Sequence, residues 1–230
     1  MRGNAQVTAH WALGRLVVVA TLGAACSSCG SLLETDLPAS TSYVLAPAPA
    51  AADNATRADA ALSIGRPDLA PGLDTERIAV LKGRQLDYYR GAQWGGRATE
   101  VVQTLLVDTF EDQRLFRSVT AEQSRIASEY VLDVSVRDFQ AEYASENDAP
   151  TAHVTILGRL VRVVDRQLVD TFAATAQNRA ADNRLSAVAA AFEAAAQKVA
   201  LELAQKTAAT IVGDREKLRA AGGDVESTRP

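Results

Sequence analysis

Cys26 and Cys29, the only two cysteines of the chain, stand where a thiol would be acylated. They close an apolar run from Leu16 to Ala25 and sit among small residues, Ala24-Ala25-Cys26-Ser27-Ser28-Cys29-Gly30. This is the position at which a bacterial lipoprotein is cut and its new terminal cysteine takes up a thioether-linked anchor. Upstream, Arg2 and Arg15 carry positive charge, and no Asp or Glu occurs before residue 34. The run of ten apolar residues is too short to span a bilayer and fits the h-region of an export signal. Neither cysteine has the usual Leu three residues ahead: Cys26 has Gly23 there, and Cys29 has Cys26. Both stay candidates for the lipidated residue. The competing reading is an ordinary secretory signal with a Cys26–Cys29 disulfide, which an oxidising compartment permits. Acylation is preferred, because a bridge so close to the apolar run staples nothing downstream.

Other residue types capable of chemistry are sparse. Beyond the signal the only histidine is His153, at the start of an expected strand, so nucleophile–histidine and histidine–metal mechanisms must all use it. A satisfied strand histidine is the preferred reading. Gly91-Ala92-Gln93-Trp94-Gly95-Gly96-Arg97 runs into a helix, and Arg90 and Arg97 make that stretch anion-friendly. It lacks the Lys-Ser or Lys-Thr of a P-loop, so a plain loop is preferred and a lipid headgroup contact is the sharper option. Tyr88, Tyr89 and Trp94 form the densest aromatic cluster. It reads either as core or as a partner or lipid surface, with Arg90 and Arg97 beside it. The carboxylates fall on polar strand faces and turns. No metal site and no cofactor are expected.

The elements that position these groups follow from periodicity. Leu62–Ile64, Arg77–Leu81 and Leu86–Tyr89 read as short strands, separated by Gly65-Arg66-Pro67 and by a turn at Pro71-Gly72. Thr99–Glu111 places Val101, Val102, Leu105, Leu106 and Phe110 on one helical stripe. Tyr130–Glu142 and Ala152–Val164 alternate as strands, Leu168–Ala176 alternates more weakly, and the turns between them predict an antiparallel meander. Leu185–Ile211 reads as a long alanine-rich helix with the stripe Leu185, Val188, Phe192, Ala195 and Val199. The expected fold is therefore α/β: a mixed, largely antiparallel sheet with helices packed on it, in one domain.

The expected organisation is a signal peptide over 1–28, a flexible tether over 29–60 with a short strand at Thr41–Leu45, a folded domain over 61–212 and a loose tail over 213–230. Loss of residues 1–25 takes two arginines and no acid, leaving 22 basic and 28 acidic side chains, net −6. That balance argues against a nucleic-acid partner. No later apolar run is long enough to cross a membrane, so acyl chains, palmitate among them, would be the only membrane attachment.

The segments also occur in a recognisable order. They are Cys29-Gly30-Ser31-Leu32-Leu33, Tyr43-Val44-Leu45, Leu62 to Pro67, Asp74-Thr75-Glu76-Arg77-Ile78-Ala79-Val80, Leu86-Asp87-Tyr88-Tyr89, and Trp94. They continue through Val102-Gln103-Thr104-Leu105-Leu106, Tyr130-Val131-Leu132, Phe139-Gln140-Ala141-Glu142-Tyr143 and Ala190-Ala191-Phe192. In this series the chain resembles the auxiliary lipoprotein component of ABC-type transporters, encoded beside MCE-domain lipid transport systems in Gram-negative bacteria. Gly95-Gly96-Arg97 departs from the more acidic or proline-containing stretch expected after Trp94.

The resemblance implies a non-enzymatic, membrane-anchored periplasmic subunit of a system that moves phospholipid or a related lipid between inner and outer membranes. Its partners would be an MCE-domain protein and an ABC permease and ATPase on other chains, and edge strands leave a homo-oligomer open. The residue after the acylated cysteine, Ser27 or Gly30, is not Asp. Outer-membrane placement is therefore expected over inner-membrane retention. Two other function classes compete: an outer-membrane assembly or envelope-integrity lipoprotein that binds lipopolysaccharide or another envelope partner, and a periplasmic hydrolase built on His153.

Overall fold

The computed structural model describes residues 40–50, 56–145 and 148–226. The signal, Cys26, Cys29 and the first part of the expected tether lie outside the described residues. Among these residues nine strands and two long helices follow in chain order: β1 Thr41–Tyr43, β2 Ala58–Ile64, β3 Asp68–Leu69, β4 Arg77–Lys82, β5 Gln85–Trp94, α1 Ala98–Asp112, β6 Phe116–Ala121, β7 Tyr130–Glu142, β8 Thr151–Arg162, β9 Gln167–Arg179 and α2 Leu185–Glu226.

The long strand β7 organises the sheet. One of its edges pairs antiparallel with β8 along the full length, and β8 pairs in the same way with β9. This is the meander that the alternating sequence predicts. The other edge of β7 takes three short parallel partners laid end to end. Leu62–Ile64 lies against Tyr130–Leu132, Asp68–Leu69 against Ser135–Val136, and Val80–Leu81 against Ala141–Glu142. The interruptions have local causes. Pro67 has no N–H to give to a ladder, so pairing stops there and resumes at Asp68. Ala70-Pro71-Gly72-Leu73 closes a turn with Leu73 N–H donating to Ala70 O at 3.0 Å, and Gly72 takes the positive φ of 86° that the third position of a type II turn needs. β6 extends the sheet beside β2 in parallel, β5 pairs antiparallel with β4, and β1 lies parallel to β5. The long pairings are antiparallel and the parallel ones short, as the expected fold class has it.

Both helices pack on this sheet, α2 against β8, β9 and α1. The expected stripes face inward: Val102, Leu105, Leu106 and Phe110 of α1, and Val188, Phe192, Ala195 and Val199 of α2, are buried, while Val101 and Leu185 are half-buried at the stripe margins. Ala191, Ala196, Ala200, Ala204 and Ala208 fill out the inner face of α2, where small side chains let the helix lie close to the sheet.

Two boundaries differ from expectation. The stretch read as a free tether is strapped to the helices at Ala46–Pro49. Ala46 N–H donates to Glu193 Oε2 at 2.9 Å and Ala48 N–H to Thr109 Oγ1 at 3.1 Å, while Gln197 Nε2 donates to the carbonyls of Ala46 and Pro47 at 3.0 and 3.1 Å. An extended Ala-Pro segment cannot satisfy its own backbone, and here side chains of α1 and α2 satisfy it. The second correction concerns the tail: from residue 213 the chain continues as helix to Glu226. Gly213 costs the helix about 1 kcal/mol, but tertiary bonds just beyond it hold the continuation. Asp214 accepts from Arg162 Nη1 at 2.8 Å through both carboxylate oxygens and from Tyr130 Oη at 2.8 Å. Arg215 pairs with Glu129, which also pairs with Arg117. Burial, reinforced by the bond to Asp214, pushes the Tyr130 phenol up to about 12, so it remains a donor.

Candidate functional site

The β4–β5 hairpin turns through Gly83-Arg84. Leu81 lies opposite Leu86 and Lys82 opposite Gln85, and Gly83 has a φ of 61°, as the first central position of a type II′ turn requires. Further along, β5 carries three more residues than β4 between the pairs Ala79–Tyr88 and Arg77–Gln93, with Gly91 at a φ of 71°. This bulge re-aims the strand. On one side of it Tyr88, Tyr89 and Arg90 border an open groove of about 730 Å³, with Lys82, Asp87 and Tyr143 among its other walls. On the other side Trp94 turns into the core.

The groove is held by its tyrosines. Tyr89 Oη donates to Tyr143 Oη at 3.1 Å, and Tyr143 Oη donates on to Asn183 Oδ1 at 2.7 Å. Burial, with Tyr143 adding to it, raises the Tyr89 phenol above its ordinary value, so it stays protonated and donating. Tyr88 Oη donates to Gly72 O at 2.8 Å, and the Arg77 guanidinium stacks 4.0 Å over its ring. Arg90 and Lys82 are exposed at the rim. Half-buried aromatic faces set rigidly beside two cations suit contact with a partner or an acidic group.

The five residues expected to form one contact surface therefore divide. Tyr88, Tyr89 and Arg90 line the groove; Trp94 and Arg97 do not. Trp94 is 1% exposed, with its ring 5.3 Å from Phe139 and 5.2 Å edge-on from Phe192. The bulge before it and the ties of Trp94 N–H to Glu76 O (2.6 Å) and Gly95 N–H to Tyr43 O (2.7 Å) draw it inward. Arg97 is exposed but engaged: its Nη2 donates to Asp74 Oδ2 at 2.6 Å and to Asp74 O at 2.9 Å. The other Asp74 oxygen accepts from Thr99 Oγ1 at 2.6 Å and from Thr99 N–H at 3.4 Å. Arg97 at the N-cap of α1 has no capping side chain of its own, and Asp74 caps the helix from a distant loop. The anion-friendly place before α1 is thus filled by the chain's own carboxylate, which corrects the headgroup option there.

A pH dependence follows. The Arg97 bond above all, then Thr99, hold the Asp74 carboxyl well below its ordinary 3.8, at about 2. A depressed carboxylate stabilises the fold above its unfolded value, and that contribution disappears as pH falls from about 4 toward about 2. Urea unfolding of wild type and Asp74→Asn is expected to show a stability gap at neutral pH that narrows across this window. A gap that stays constant down to about pH 2 contradicts the capping role.

His153 sits in β8 opposite Gln140, its Nε2 3.7 Å from Glu142 Oε2. Among the described residues no three His, Cys, Asp or Glu side chains converge as metal ligands, and no helix is long and apolar enough to cross a membrane. Tyr143 and Lys82 complete the groove, with Asn183 bonded to Tyr143 behind it, but they are not visible in the residues around Tyr88. The usable signals were Lys82-Gly83-Arg84, a turn between two strands, and a tyrosine just past the end of the long alternating strand β7.

Residues 43–204 match the family described as the ABC-type transport auxiliary lipoprotein component. The chain belongs to that family. The match starts at the end of β1, takes in the whole groove and ends within α2, short of Asp214. Among solved structures, a Xanthomonas campestris protein of the DUF330 family superposes with a TM-score of 0.71 at 28% identity, over 77% of this chain and 99% of that one. An uncharacterized protein superposes with a TM-score of 0.58 at 13% identity, over 73% and 98% of the two chains, a likeness of fold alone. No curated protein matches. As an ABC-type transport auxiliary lipoprotein, the chain is a membrane-anchored envelope component that works with an ABC transporter.

Proposed function

We propose that this auxiliary lipoprotein serves an MCE-associated ABC system that moves phospholipid or a related lipid between inner and outer membranes, and that it catalyses no reaction itself. Family membership over residues 43–204 carries the reading. The Tyr88–Tyr89–Tyr143 groove with Arg90 and Lys82 supplies a surface for the periplasmic MCE-domain partner. Tyrosines held rigid by internal bonds lose little entropy on contact, and tyrosine and arginine are the residues that usually dominate interfaces. An acylated Cys26 or Cys29 keeps the domain at a membrane, and the resulting local concentration lets a modest contact hold a conduit in place. With Ser27 or Gly30 after that cysteine, the periplasmic face of the outer membrane is the proposed site.

In-cell crosslinking followed by purification of this chain is expected to recover an MCE-domain protein together with the permease or ATPase. Recovery of outer-membrane assembly machinery in their place contradicts the proposal. The intact mass of the processed protein is expected to show acyl chains on Cys26 or Cys29, and an unacylated, freely soluble product contradicts the anchor.

A further inference from the structure

Among the described residues six large apolar side chains are exposed, and five of them, Ile126, Val163, Val164, Leu168 and Leu218, belong to one end of the domain. The β8–β9 turn carries Val163 and Val164, with Val164 87% exposed, and Leu168 follows where β9 begins. Val163 N–H donates to Glu129 O at 2.9 Å, which brings the turn beside the segment that leads into β7. Ile126 lies in that segment, and Leu218 of α2 borders the same hollow of about 340 Å³ as Ser128, Val163 and Val164. The groove of Tyr88 and Tyr89 is elsewhere, near the far end of β7, where Val80 pairs with Ala141.

The charges around these side chains divide into a used set and a free set. Glu129, Asp165 and Asp214 are engaged by Arg117, Arg162 and Arg215. Arg125, next to Ile126, and Arg166, two residues after Val164, are exposed in left-handed conformations with φ of 56° and 57°, at reversals of the chain. Lys217 and Arg219 flank Leu218 and are exposed as well. Asp59 is exposed but paired with Arg117, and Glu122, Asp170 and Glu216 are the exposed carboxylates nearby without an ion pair, so four free cations stand against three free carboxylates at this end of a chain whose net charge is −4.

We propose that this end of the domain is a second membrane contact, in which the aliphatic side chains enter the interface of a bilayer while Arg125, Arg166, Lys217 and Arg219 meet anionic phospholipid headgroups. Scattered aliphatic side chains on three separate elements, interleaved with unpaired cations, match a fluid anionic surface, which needs no complementary shape. Long cationic side chains can lie along the interface with their charged ends in the headgroup layer. The contact would orient the domain on the membrane, with the tyrosine groove turned toward the aqueous gap.

The test uses the mature chain from Cys29 onward carrying Cys29→Ser, so that no acyl chain contributes. Wild type is expected to float with vesicles of phosphatidylglycerol and phosphatidylcholine and not with phosphatidylcholine alone. Val163→Asp with Val164→Asp, and separately Arg125→Glu with Arg166→Glu, are expected to cut the bound fraction about five-fold or more. All four positions are exposed turn or loop residues, and unchanged circular dichroism confirms that the fold survives. Equal flotation of wild type and both variants overturns the proposal. So does failure to float with either vesicle, or a variant effect on self-association with flotation unchanged, which would make a second copy the occupant. Failure here leaves the MCE proposal standing, because that contact is read at different residues.

Discussion

Replacing Trp94 with alanine is expected to lower the free energy of unfolding by about 3–5 kcal/mol, the largest effect of any single apolar truncation in this domain. Trp94, Phe139 and Phe192 form a closed triangle of rings with centroids 5.2 to 5.3 Å apart, all essentially without solvent contact. Each ring comes from a different element: β5, the C-terminal third of β7 and the first turns of α2. Removing the indole opens a cavity at the point where sheet and helix meet, and neither Phe139, opposite Val154 in the β7–β8 ladder, nor Phe192 on a packed helix can move far to fill it. Trp94→Phe keeps part of the volume and is expected to cost roughly half as much. Chemical denaturation followed by circular dichroism is the suitable readout, because Trp94 is the only tryptophan beyond the signal segment and its loss removes the fluorescence reporter. A loss of less than about 1 kcal/mol contradicts the core assignment. If Trp94 instead made its contribution at a partner surface, stability would be nearly unchanged and binding would suffer.

The second large effect is expected at the latch between α2 and the sheet. Arg162→Met is expected to cost about 3 kcal/mol, because it leaves Asp214, with its side chain 10% exposed, charged and supported only by the Tyr130 hydroxyl. The double variant Arg162→Met, Asp214→Leu removes both charges and is expected to recover most of that loss, since desolvation offsets much of what a buried pair contributes. Hydrogen exchange localises the effect: amides of α2 beyond Gly213 are expected to lose protection in the single variant, while those around Phe192 keep theirs. Uniform loss of protection along α2 would show that the latch does not act locally.

The two outcomes bear on how far the residues alone disclose the structure. Strands and helices with sustained periodicity, from Thr99–Glu111 to Leu185–Ile211, are legible because one buried face repeats along them. The end of α2 is not: Gly213 and the charges after it look like a tail, and contacts with Arg162, Tyr130 and Glu129, more than fifty residues earlier, keep it helical. Ala46–Pro49 misleads for the same reason, since alanine and proline give no periodic signal and the bonds that fix the segment come from α1 and α2. Among the site residues, Tyr88 and Tyr89 are conspicuous as aromatics, but their separation from Trp94 is decided by the bulge at Gly91, and a glycine does not announce a bulge. Arg97 reads as a free cation beside a helix start until Asp74 is brought to it from a turn 23 residues away. Local patterning therefore exposes the elements, and non-local polar bonds decide which candidate residues are free to meet a partner.

The most direct test of the anchored, partner-holding role is site-specific photocrosslinking in living cells, with the photoreactive residue at Tyr88 or Arg90 in the groove and, as a control, at Asp170 on the exposed face of β9. The groove positions are expected to trap an MCE-domain protein and the control position is not. Groove positions that trap no transporter component, in cells where the acylated protein is present at normal levels, would contradict the account.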